Sequence, residues 1–434
     1  MHRQDGLPGD RSEPRAGHQG VAVDSLEIAL LTREYPPEVY GGAGVHVEYL
    51  ARELSHRARV TVHCFGAERE PVPGGPAVRA YRPWDALADG SPHADALGTM
   101  SVDLAMAGAV GGAQLVHSHT WYAQLGGPLA KLVHGIPHVL TVHSLEPLRP
   151  WKAEQLAGGY QLSSFCEQTA VEGADAVIAV SAEMARDVLA CYPAVDPDRV
   201  RVIYNGIDTA EYRPDSGTNV LERHGVDPER RSAVFVGRIT RQKGVAHLLE
   251  AARTFDPEVQ VVLCAGAPDT PQIAAEISER VGRVQRERGN LVWIDKMITK
   301  AEVIQLLTHA TVFVCPSIYE PLGIVNLEAM ACETAVVATA TGGIPEVVED
   351  GVTGVLVPFE PGADSSREPR DPKQFARDIA ERVNALLADP ARAEAMGKAG
   401  RRRAIEQFSW SAIADQTVEL YESLVGASGQ AGRN

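Results

Sequence analysis

The sequence lacks the motifs that would point to several common enzyme classes. It contains no HExxH motif, no clustered set of Asp and His at metal-ligand spacing and no GxSxG motif, so metal-dependent hydrolysis and serine acyl transfer have no support. The six cysteines are scattered without a CxxC pair, and Cys64, Cys264 and Cys315 lie in apolar runs, where a thiol acts as a small buried hydrophobe. A reducing compartment and no metal ligand set are therefore expected.

Long apolar runs and an excess of basic charge are also missing. No run reaches the length of about 18 residues that spans a bilayer, and no apolar signal core occurs near the start, so we expect a cytoplasmic protein without a membrane partner. The net charge of −16, from 41 Lys and Arg against 57 Asp and Glu, argues against nucleic acid as a partner. With 434 residues, the chain is expected to form two domains of roughly 200 residues each.

Apolar runs that resemble buried strands alternate with helical patterns along the chain, which predicts an α/β fold with parallel sheets and right-handed crossovers. We predict a flexible extension over 1–23, one doubly wound domain over 24–208, a second over 209–408, and a last helix and tail over 409–434. A polar stretch at 211–232 is interpreted as a linker. The predicted strands are 26–32, 60–65, 115–117, 137–142, 176–180, 200–204, 233–236, 260–265, 291–294, 311–315, 335–339 and 354–357. The main predicted helices are 45–54, 374–387, 391–407 and 412–424.

Two basic residues follow the first strand of the second half, in the sequence VFVGRITRQKG. Arg238 and Lys243 are predicted to occupy the turn between that strand and a helix that begins with Gly244, where a doubly wound sheet places a phosphate. A guanidinium and an ammonium group at this spacing suit a diphosphate. The alternative is that both are solvated surface charges.

Two acidic residues follow a later strand, in the sequence YEPLGIVNLEAM. Glu320 and Glu328 suit sugar hydroxyls and a developing cation. Pro321 and Gly323 predict a tight turn before a helix whose free N–H groups are directed at the same position. A polar loop followed by a helix surface is the alternative. With the basic pair, these residues indicate a sugar-nucleotide site.

Weaker signals come from the first half. Gly41, Gly42 and Gly44 follow the first strand and open a helix, where backbone N–H groups could hold a phosphate, although a tight structural turn explains them equally well. His143 ends a strand, and a satisfied structural histidine is the alternative to a site residue.

With these residues in place, the sequence resembles the retaining GT-B glycosyltransferases of the glycogen-synthase superfamily. It looks most similar to the actinobacterial glucosyltransferases of the glycogen-synthase and α-maltose-1-phosphate-synthase type. The resemblance covers about residues 28–424, and its most specific elements are GRITRQKG, EPLGIVNLE and TGGIPEVVEDGVTG.

The resemblance implies two Rossmann-like domains that face a central cleft, with the last helix crossing back to the first domain. It also implies α-1,4-glucosyl transfer from ADP-glucose to glucose 1-phosphate or to glycogen, without a metal or other cofactor. The leaving phosphate would itself accept the acceptor proton, so no enzyme nucleophile is needed. The residue roles it implies are a diphosphate clamp (Arg238 and Lys243), phosphate contacts (Gly41 and Gly42), amide contacts (Leu322, Gly323 and Ile324), a ribose contact (Glu328) and donor-sugar contacts (Glu320 and His143).

Two departures from the starch-synthase pattern concern the acceptor. The Lys of a Lys-x-Gly-Gly loop is Val39 here, and an HxHDW pattern reads HSHTW, with Thr120 in place of Asp. The resemblance to starch synthases therefore supports the same donor chemistry more strongly than it supports a long glucan as the acceptor. In SLEPLRPWK, Ser144, Arg149 and Lys152 could hold a phosphate monoester, unless the two cations are solvated loop charges.

Other functions stay open at this stage. They are a UDP- or GDP-sugar transferase with another small acceptor, a sugar-nucleotide epimerase or glucan phosphorylase on a similar scaffold, and a sensor that binds sugar nucleotide without catalysis. The expected partners are a sugar nucleotide together with a sugar phosphate or an α-glucan. The oligomeric state stays open, with a homodimer as one alternative.

Overall fold

The computed structural model of the chain describes residues 26–39, 41–70, 72–88, 90–91, 93–149, 151–152, 159–363 and 366–431. The predicted extension over 1–23 lies outside these ranges. Within them, no helix is long and apolar enough to cross a membrane.

A seven-stranded parallel sheet forms the first half. Its strands are β1 (Glu27–Leu31), β2 (Arg59–Phe65), β3 (Ala77–Tyr81), β4 (Leu115–His119), β5 (His138–Val142), β6 (Ala176–Ala179) and β7 (Val200–Val202). Its helices are α1 (Gly42–Leu54), α2 (Ala94–Ala109), α3 (Trp121–Gln124), α4 (Gly126–His134), α5 (Tyr160–Gly173) and α6 (Ala182–Cys191). The strand order is β3-β2-β1-β4-β5-β6-β7, so the winding direction reverses between β1 and β4. Ligands bind beside the carboxyl ends of strands at such a reversal.

A six-stranded parallel sheet forms the second half. Its strands are β8 (Ser232–Arg238), β9 (Gln260–Gly266), β10 (Leu291–Ile294), β11 (Val312–Cys315), β12 (Ala335–Thr339) and β13 (Gly354–Val357). The helices that follow β7 are α7 (Asn219–Arg223), α8 (Val245–Ala252), α9 (Pro271–Arg288), α10 (Lys300–Thr308), α11 (Ile324–Ala331), α12 (Ile344–Val347), α13 (Pro372–Leu387), α14 (Pro390–Gln407) and α15 (Trp410–Ala431). The order β10-β9-β8-β11-β12-β13 reverses between β8 and β11. Both sheets are thus doubly wound, as predicted.

One buried apolar cluster is shared by the two halves. Leu145 and Met184 from the first half pack in the same cluster as Phe313, Tyr319 and Ile344 from the second. Burial of apolar surface is worth about 25 cal/mol per Å², so separating the halves along this contact would be costly. The shared cluster fixes one side of the cleft between the sheets.

The last helix returns to the first half. Trp410, Ile413 and Tyr421 of α15 lie in the apolar cluster that includes Leu30 of β1 and Leu50 of α1. This confirms that the C-terminal helix crosses back. The start of α15 is capped by Ser409, whose hydroxyl accepts the N–H of Ala412 at 3.3 Å.

Most predicted strands agree with the observed ones to within about two residues, and four elements differ from the prediction. Strand β3 was not predicted because its AVRAY sequence is partly exposed at a sheet edge and forms no apolar run. The predicted linker over 211–232 contains α7, which buries Val220 and Leu221. Helix α1 begins at Gly42 rather than at residue 45, and α15 extends beyond both predicted ends.

Candidate active site

The segment after β8 holds both predicted basic residues. Arg238 is the last residue of β8, so it lies in the strand rather than in the predicted turn. Lys243 is the last residue of a 3₁₀ turn. The N-cap of this turn is Thr240, whose hydroxyl accepts the N–H of Lys243 at 3.3 Å. Gly244 has a φ of 64°, and a Cβ there would lie 2.0 Å from the carbonyl oxygen of Pro316. Only glycine fits this approach, which packs the turn against the loop after β11.

Lys243 and Glu320 form an ion pair between these two loops. Nζ of Lys243 lies 2.6 Å from Oε2 of Glu320, and the Ser317 hydroxyl donates to the same oxygen at 3.2 Å. Glu320 is only 7% exposed. Burial lowers the pKa of Lys243, but the Glu320 carboxylate and other neighbours outweigh burial and the net shift is upward. The ammonium group therefore stays charged at neutral pH, which a group that stabilises an oxyanion requires.

The guanidinium of Arg238 pairs with a residue that sequence reasoning missed. Nη2 of Arg238 donates to Oδ1 of Asp269 at 2.6 Å, and Asp269 follows β9, the neighbour of β8. Its position after a buried strand was the available signal. Because a guanidinium carries five N–H donors, others remain for phosphate oxygens while Asp269 holds one side of the group.

The loop that carries Glu320 leads directly into α11. Gly323 caps this helix with a φ of 95°, and Ile324 is the first helical residue. The first amides of a helix have no partner within it, so Leu322, Gly323 and Ile324 lie where an anion binds well. Behind the loop, a Cβ on Gly342 would lie 2.0 Å from the Glu320 carbonyl oxygen, which shows how closely the two backbones approach.

The Gly-rich turn lies on the opposite wall of the cleft. Gly41 caps α1 and donates its N–H to Oε2 of Glu34 at 2.8 Å. A Cβ on Gly44 would lie 2.6 Å from the same oxygen, so Glu34 fills the space beside the turn. A Cβ on Gly42 would lie 3.7 Å from Cδ1 of Ile324, so the amino ends of α1 and α11 lie close together. Two helix N-termini at one point favour a diphosphate.

Glu328 lies on α11, beyond the amides at its start. Its Oε1 accepts the Tyr212 hydroxyl at 3.1 Å. Burial raises the pKa of Glu328, whereas the Tyr212 hydrogen bond and the charges of Lys300 and Lys243 lower it. Lys243 thus lies within electrostatic range of both predicted carboxylates, Glu320 and Glu328.

Four histidines line the wall of the first sheet, of which sequence reasoning selected only His143. His119 ends β4, and its Nδ1 lies 3.1 Å from Nε2 of His143, while Nδ1 of His46 lies 2.7 Å from Oδ1 of Asn205. Ring nitrogens of His46, His119 and His143 lie within 4.8 Å of one another. These three residues come from separate elements, so the spacing of residues along the sequence does not reveal the group. Burial lowers the pKa of His46 to about 4 and the pKa values of His117, His119 and His143 well below the usual value, so all four rings are neutral.

His117 connects this cluster to the returning helix. Its Nδ1 lies 2.6 Å from the Tyr421 hydroxyl, and its Nε2 lies 2.7 Å from Oγ1 of Thr141. Thr120, the predicted acceptor residue, follows His119 with a φ of 59°, which is unfavourable for a β-branched side chain. Its hydroxyl is buried and has no hydrogen-bond partner among the described residues. Strain of this kind is concentrated at functional sites.

The segment after His143 contacts the loop of Glu320. Ser144 is half-buried, and the N–H of Leu145 donates to the hydroxyl of Tyr319 at 3.4 Å. The structure therefore brings the predicted acceptor segment beside the predicted donor-sugar residue.

Arg149 and Lys152 lie in this segment on the wall of the first sheet. Arg149 forms an ion pair with Glu146, whose side chain is fully buried, so Arg149 is not a solvated loop charge. Burial and, to a smaller extent, the charges of Arg149 and Arg238 lower the pKa of Lys152 to about 8, although Glu146 and Asp269 act in the opposite direction. Lys152 is thus within electrostatic range of Arg238 on the facing wall.

Two family models together cover most of the chain. Residues 40–211 match Glycosyltransferase Family 4, and residues 218–403 match Glycosyl transferases group 1. Two doubly wound parallel sheets that face a cleft, taken with these matches, define a GT-B glycosyltransferase.

The chain is also similar to individual proteins along nearly its whole length. Over 402 residues it is 56% identical to the alpha-maltose-1-phosphate synthase of Mycobacterium tuberculosis and 54% identical to that of Mycolicibacterium smegmatis, covering 92% of this chain and 100% of each relative. The solved structure of sucrose-phosphate synthase from Thermosynechococcus elongatus matches with a TM-score of 0.72 and 26% identity, over 93% of this chain and 100% of that one. The chain belongs to the glycosyltransferase family that contains the alpha-maltose-1-phosphate synthases.

Proposed function

We propose that the protein is a retaining α-1,4-glucosyltransferase that moves glucose from ADP-glucose to glucose 1-phosphate and forms α-maltose 1-phosphate. Glycogen is the second acceptor that the resemblance implies. The observation that carries the proposal is that Lys152 lies within electrostatic range of Arg149 on its own wall of the cleft and of Arg238 on the facing wall. A reaction between two phosphorylated sugars requires cations on both walls.

The donor diphosphate binds between the amino ends of α1 and α11, beside Arg238 and Lys243. In this structure the Glu320 carboxylate neutralises Lys243. A bound diphosphate would draw the Lys243 ammonium toward its oxygens and release Glu320 for the glucosyl hydroxyls. Such preorganised charges act on the phosphate as it leaves, and contributions of several kcal/mol are typical.

The bond that breaks joins the anomeric carbon to the β-phosphate oxygen. Positive charge then develops on the sugar ring and negative charge on the leaving phosphate. The 4-hydroxyl of the acceptor attacks the anomeric carbon from the face that the phosphate leaves, and it transfers its proton to that phosphate. Attack from this face retains the configuration of the anomeric carbon. His143 and the other three imidazoles are neutral, so this wall contacts the sugar without repelling the developing cation.

The acceptor phosphate is assigned to Ser144, Arg149 and Lys152, with Thr120 close to the acceptor sugar. Arg149 is partly neutralised by Glu146, and Lys152 is the second cation of this group. The two mycobacterial relatives are named for a product that carries a phosphate monoester, and this supports a phosphorylated acceptor. The choice of ADP follows the family resemblance.

A matrix of donors and acceptors tests the proposal. ADP-, UDP- and GDP-glucose would each be supplied with glucose 1-phosphate or glycogen in buffer containing EDTA, and the products would be resolved by phosphorus NMR and chromatography. We expect the highest kcat/KM for ADP-glucose with glucose 1-phosphate, and no loss of activity with EDTA. Transfer to glycogen alone, with glucose 1-phosphate inert, would contradict the acceptor assignment, and a preference for another nucleotide would contradict the donor.

A further inference from the structure

We propose that His46, His119 and His143 form a binding site for Zn²⁺ or a similar divalent transition metal, and that occupation of this site inhibits the enzyme. One ring nitrogen of each histidine lies within 4.8 Å of one from each of the other two. Neutral imidazole is a preferred zinc ligand, and a set of three imidazoles leaves a fourth position for water or a substrate oxygen.

The rings have nitrogens available for a metal. Nε2 of His46 and Nε2 of His119 are buried and have no hydrogen-bond partner among the described residues. The two side chains are 3% and 0% exposed, so bulk water does not satisfy them. Buried polar atoms are nearly always paired, and a metal ion would supply the missing interaction.

The geometry requires only side-chain adjustment. Zinc–nitrogen bonds of about 2.0 to 2.1 Å place two tetrahedral ligand nitrogens roughly 3.4 Å apart. Nδ1 of His119 and Nε2 of His143, which share a hydrogen bond in this structure, are already 3.1 Å apart, so a metal bound by these two atoms would replace that hydrogen bond. The ring centroids of His46 and His143 are separated by 4.7 Å. Asn205 holds Nδ1 of His46 at 2.7 Å, which orients the ring and leaves Nε2 as the ligand atom. Outer hydrogen bonds of this kind are typical of metal-binding histidines.

The inhibitory consequence rests on the proposed function, because it requires His143 to contact the donor sugar. A metal ion on His143 would exclude the glucosyl group, so inhibition should be competitive with ADP-glucose. Binding of the ion itself does not depend on that assignment. The proposal is compatible with glucosyl transfer that needs no metal, because the bound ion would inhibit the reaction and not catalyse it.

Metal binding can be measured directly on the full chain. Metal-free protein would be dialysed against Zn²⁺ and, separately, titrated with Co²⁺ as a spectroscopic probe. We expect one ion per chain in this site, with the intense visible absorption of tetrahedral Co²⁺. His119→Gln and His46→Gln should each weaken binding at least tenfold, whereas His56→Gln, which removes an exposed imidazole, should leave it unchanged. Circular dichroism melting checks each fold, and His46→Gln decides the result if His119→Gln does not fold.

Two results would overturn the proposal at separate points. Wild-type affinity in folded His46→Gln and His119→Gln, or the absence of stoichiometric binding, would remove the metal site. Binding that depends on these histidines while Zn²⁺ leaves the KM for ADP-glucose unchanged would retain the site and remove the inhibition. A protein that transfers no glucose in any donor and acceptor combination would contradict the proposed function, and the binding measurements would still decide the metal site.

Discussion

Apart from Lys152 and the Arg149–Glu146 pair in the segment after His143, the two walls of the cleft keep their ionisable groups in opposite states. The wall of the second sheet carries charges in pairs, Lys243 with Glu320 and Arg238 with Asp269. The wall of the first sheet carries four imidazoles whose pKa values are lowered by burial, so they are neutral. Burial acts on both walls, and the difference is the presence of an opposite charge within hydrogen-bond distance. The charged wall suits an anionic leaving group, and the neutral wall suits a sugar that becomes cationic.

The largest expected effect comes from removing a cation from the charged wall. Lys243→Ala should lower kcat/KM by about 10²-fold or more, because the ammonium acts mainly on the transition state. Its loss also leaves Glu320 buried without its partner, so the melting temperature should fall. Lys398→Ala, which removes an exposed lysine paired with Glu394, is the control. Near-wild-type turnover of Lys243→Ala would exclude Lys243 from the reaction.

Removing the anion of the same pair should separate binding from transfer. Glu320→Ala is expected to lose most glucosyl transfer, because the Glu320 carboxylate is proposed to contact the hydroxyls of the donor sugar during the reaction. It should bind ADP at least as well as the wild type, since Lys243 is no longer neutralised. Calorimetric titration with ADP and single-turnover kinetics measure the two effects. Full activity in this variant would show that Glu320 does not contact the donor sugar.

Lys152 lies on the wall of the first sheet, within electrostatic range of Arg238 on the charged wall. Lys152→Ala should raise the KM for glucose 1-phosphate about tenfold or more and that for glycogen much less, because a charge-assisted hydrogen bond contributes about 1.5 to 3 kcal/mol. Since its pKa is lowered to about 8, Lys152 is charged below that pH and loses its proton above it. The wild-type KM for glucose 1-phosphate should therefore rise as pH passes 8. If the KM for glucose 1-phosphate changed with pH in the same way in Lys152→Ala as in the wild type, Lys152 would not be the group that binds the acceptor phosphate.

A smaller effect is expected behind the neutral wall. Tyr421→Phe removes the hydroxyl beside Nδ1 of His117 and leaves a buried polar nitrogen without its partner. The free energy of unfolding should fall by about 1 to 3 kcal/mol, with only a small change in kcat. Glu422→Gln, on the exposed face of the same helix, is the control for chemical denaturation. Unchanged stability of Tyr421→Phe would mean that this hydrogen bond does not hold the wall.

The smallest expected change concerns the distance between the walls. The cleft should close over the donor, because an open site would hydrolyse the sugar nucleotide. The apolar cluster shared by both halves limits this motion, so compaction by ADP should be modest. Small-angle scattering with and without ADP measures it, and identical profiles would argue against closure in solution.

Much of the fold could be predicted from sequence because most strands are buried on both faces. Strand β12, for example, is a continuous apolar run followed by a glycine-rich turn, and its observed bounds equal the predicted ones. Strand β3 could not be found in this way, because its residues lie partly exposed at the sheet edge and show only a weak alternation of apolar and polar side chains. Helix α7 was hidden because its two buried apolar residues stand among charged ones.

The charged wall was easier to predict than the neutral one for a physical reason. Arg238 ends a recognisable strand, Lys243 and Glu320 each follow one, and parallel strands bring such positions together. The contact between His46 and Asn205 joins residues 159 positions apart and follows no local pattern. Asp269 also follows a buried strand, but nothing in its local sequence indicates that its partner is Arg238. Such pairings depend on the tertiary structure.

The returning helix also has a consequence for biosynthesis. The hydrogen bond between His117 and Tyr421 joins residues 304 positions apart, and Trp410 packs in the same apolar cluster as β1. While the ribosome is still synthesising the second half, the nascent first half therefore lacks the aromatic side chains that cover its sheet. Its apolar surface stays uncovered until translation has passed residue 421, and a chaperone has that interval in which to bind it.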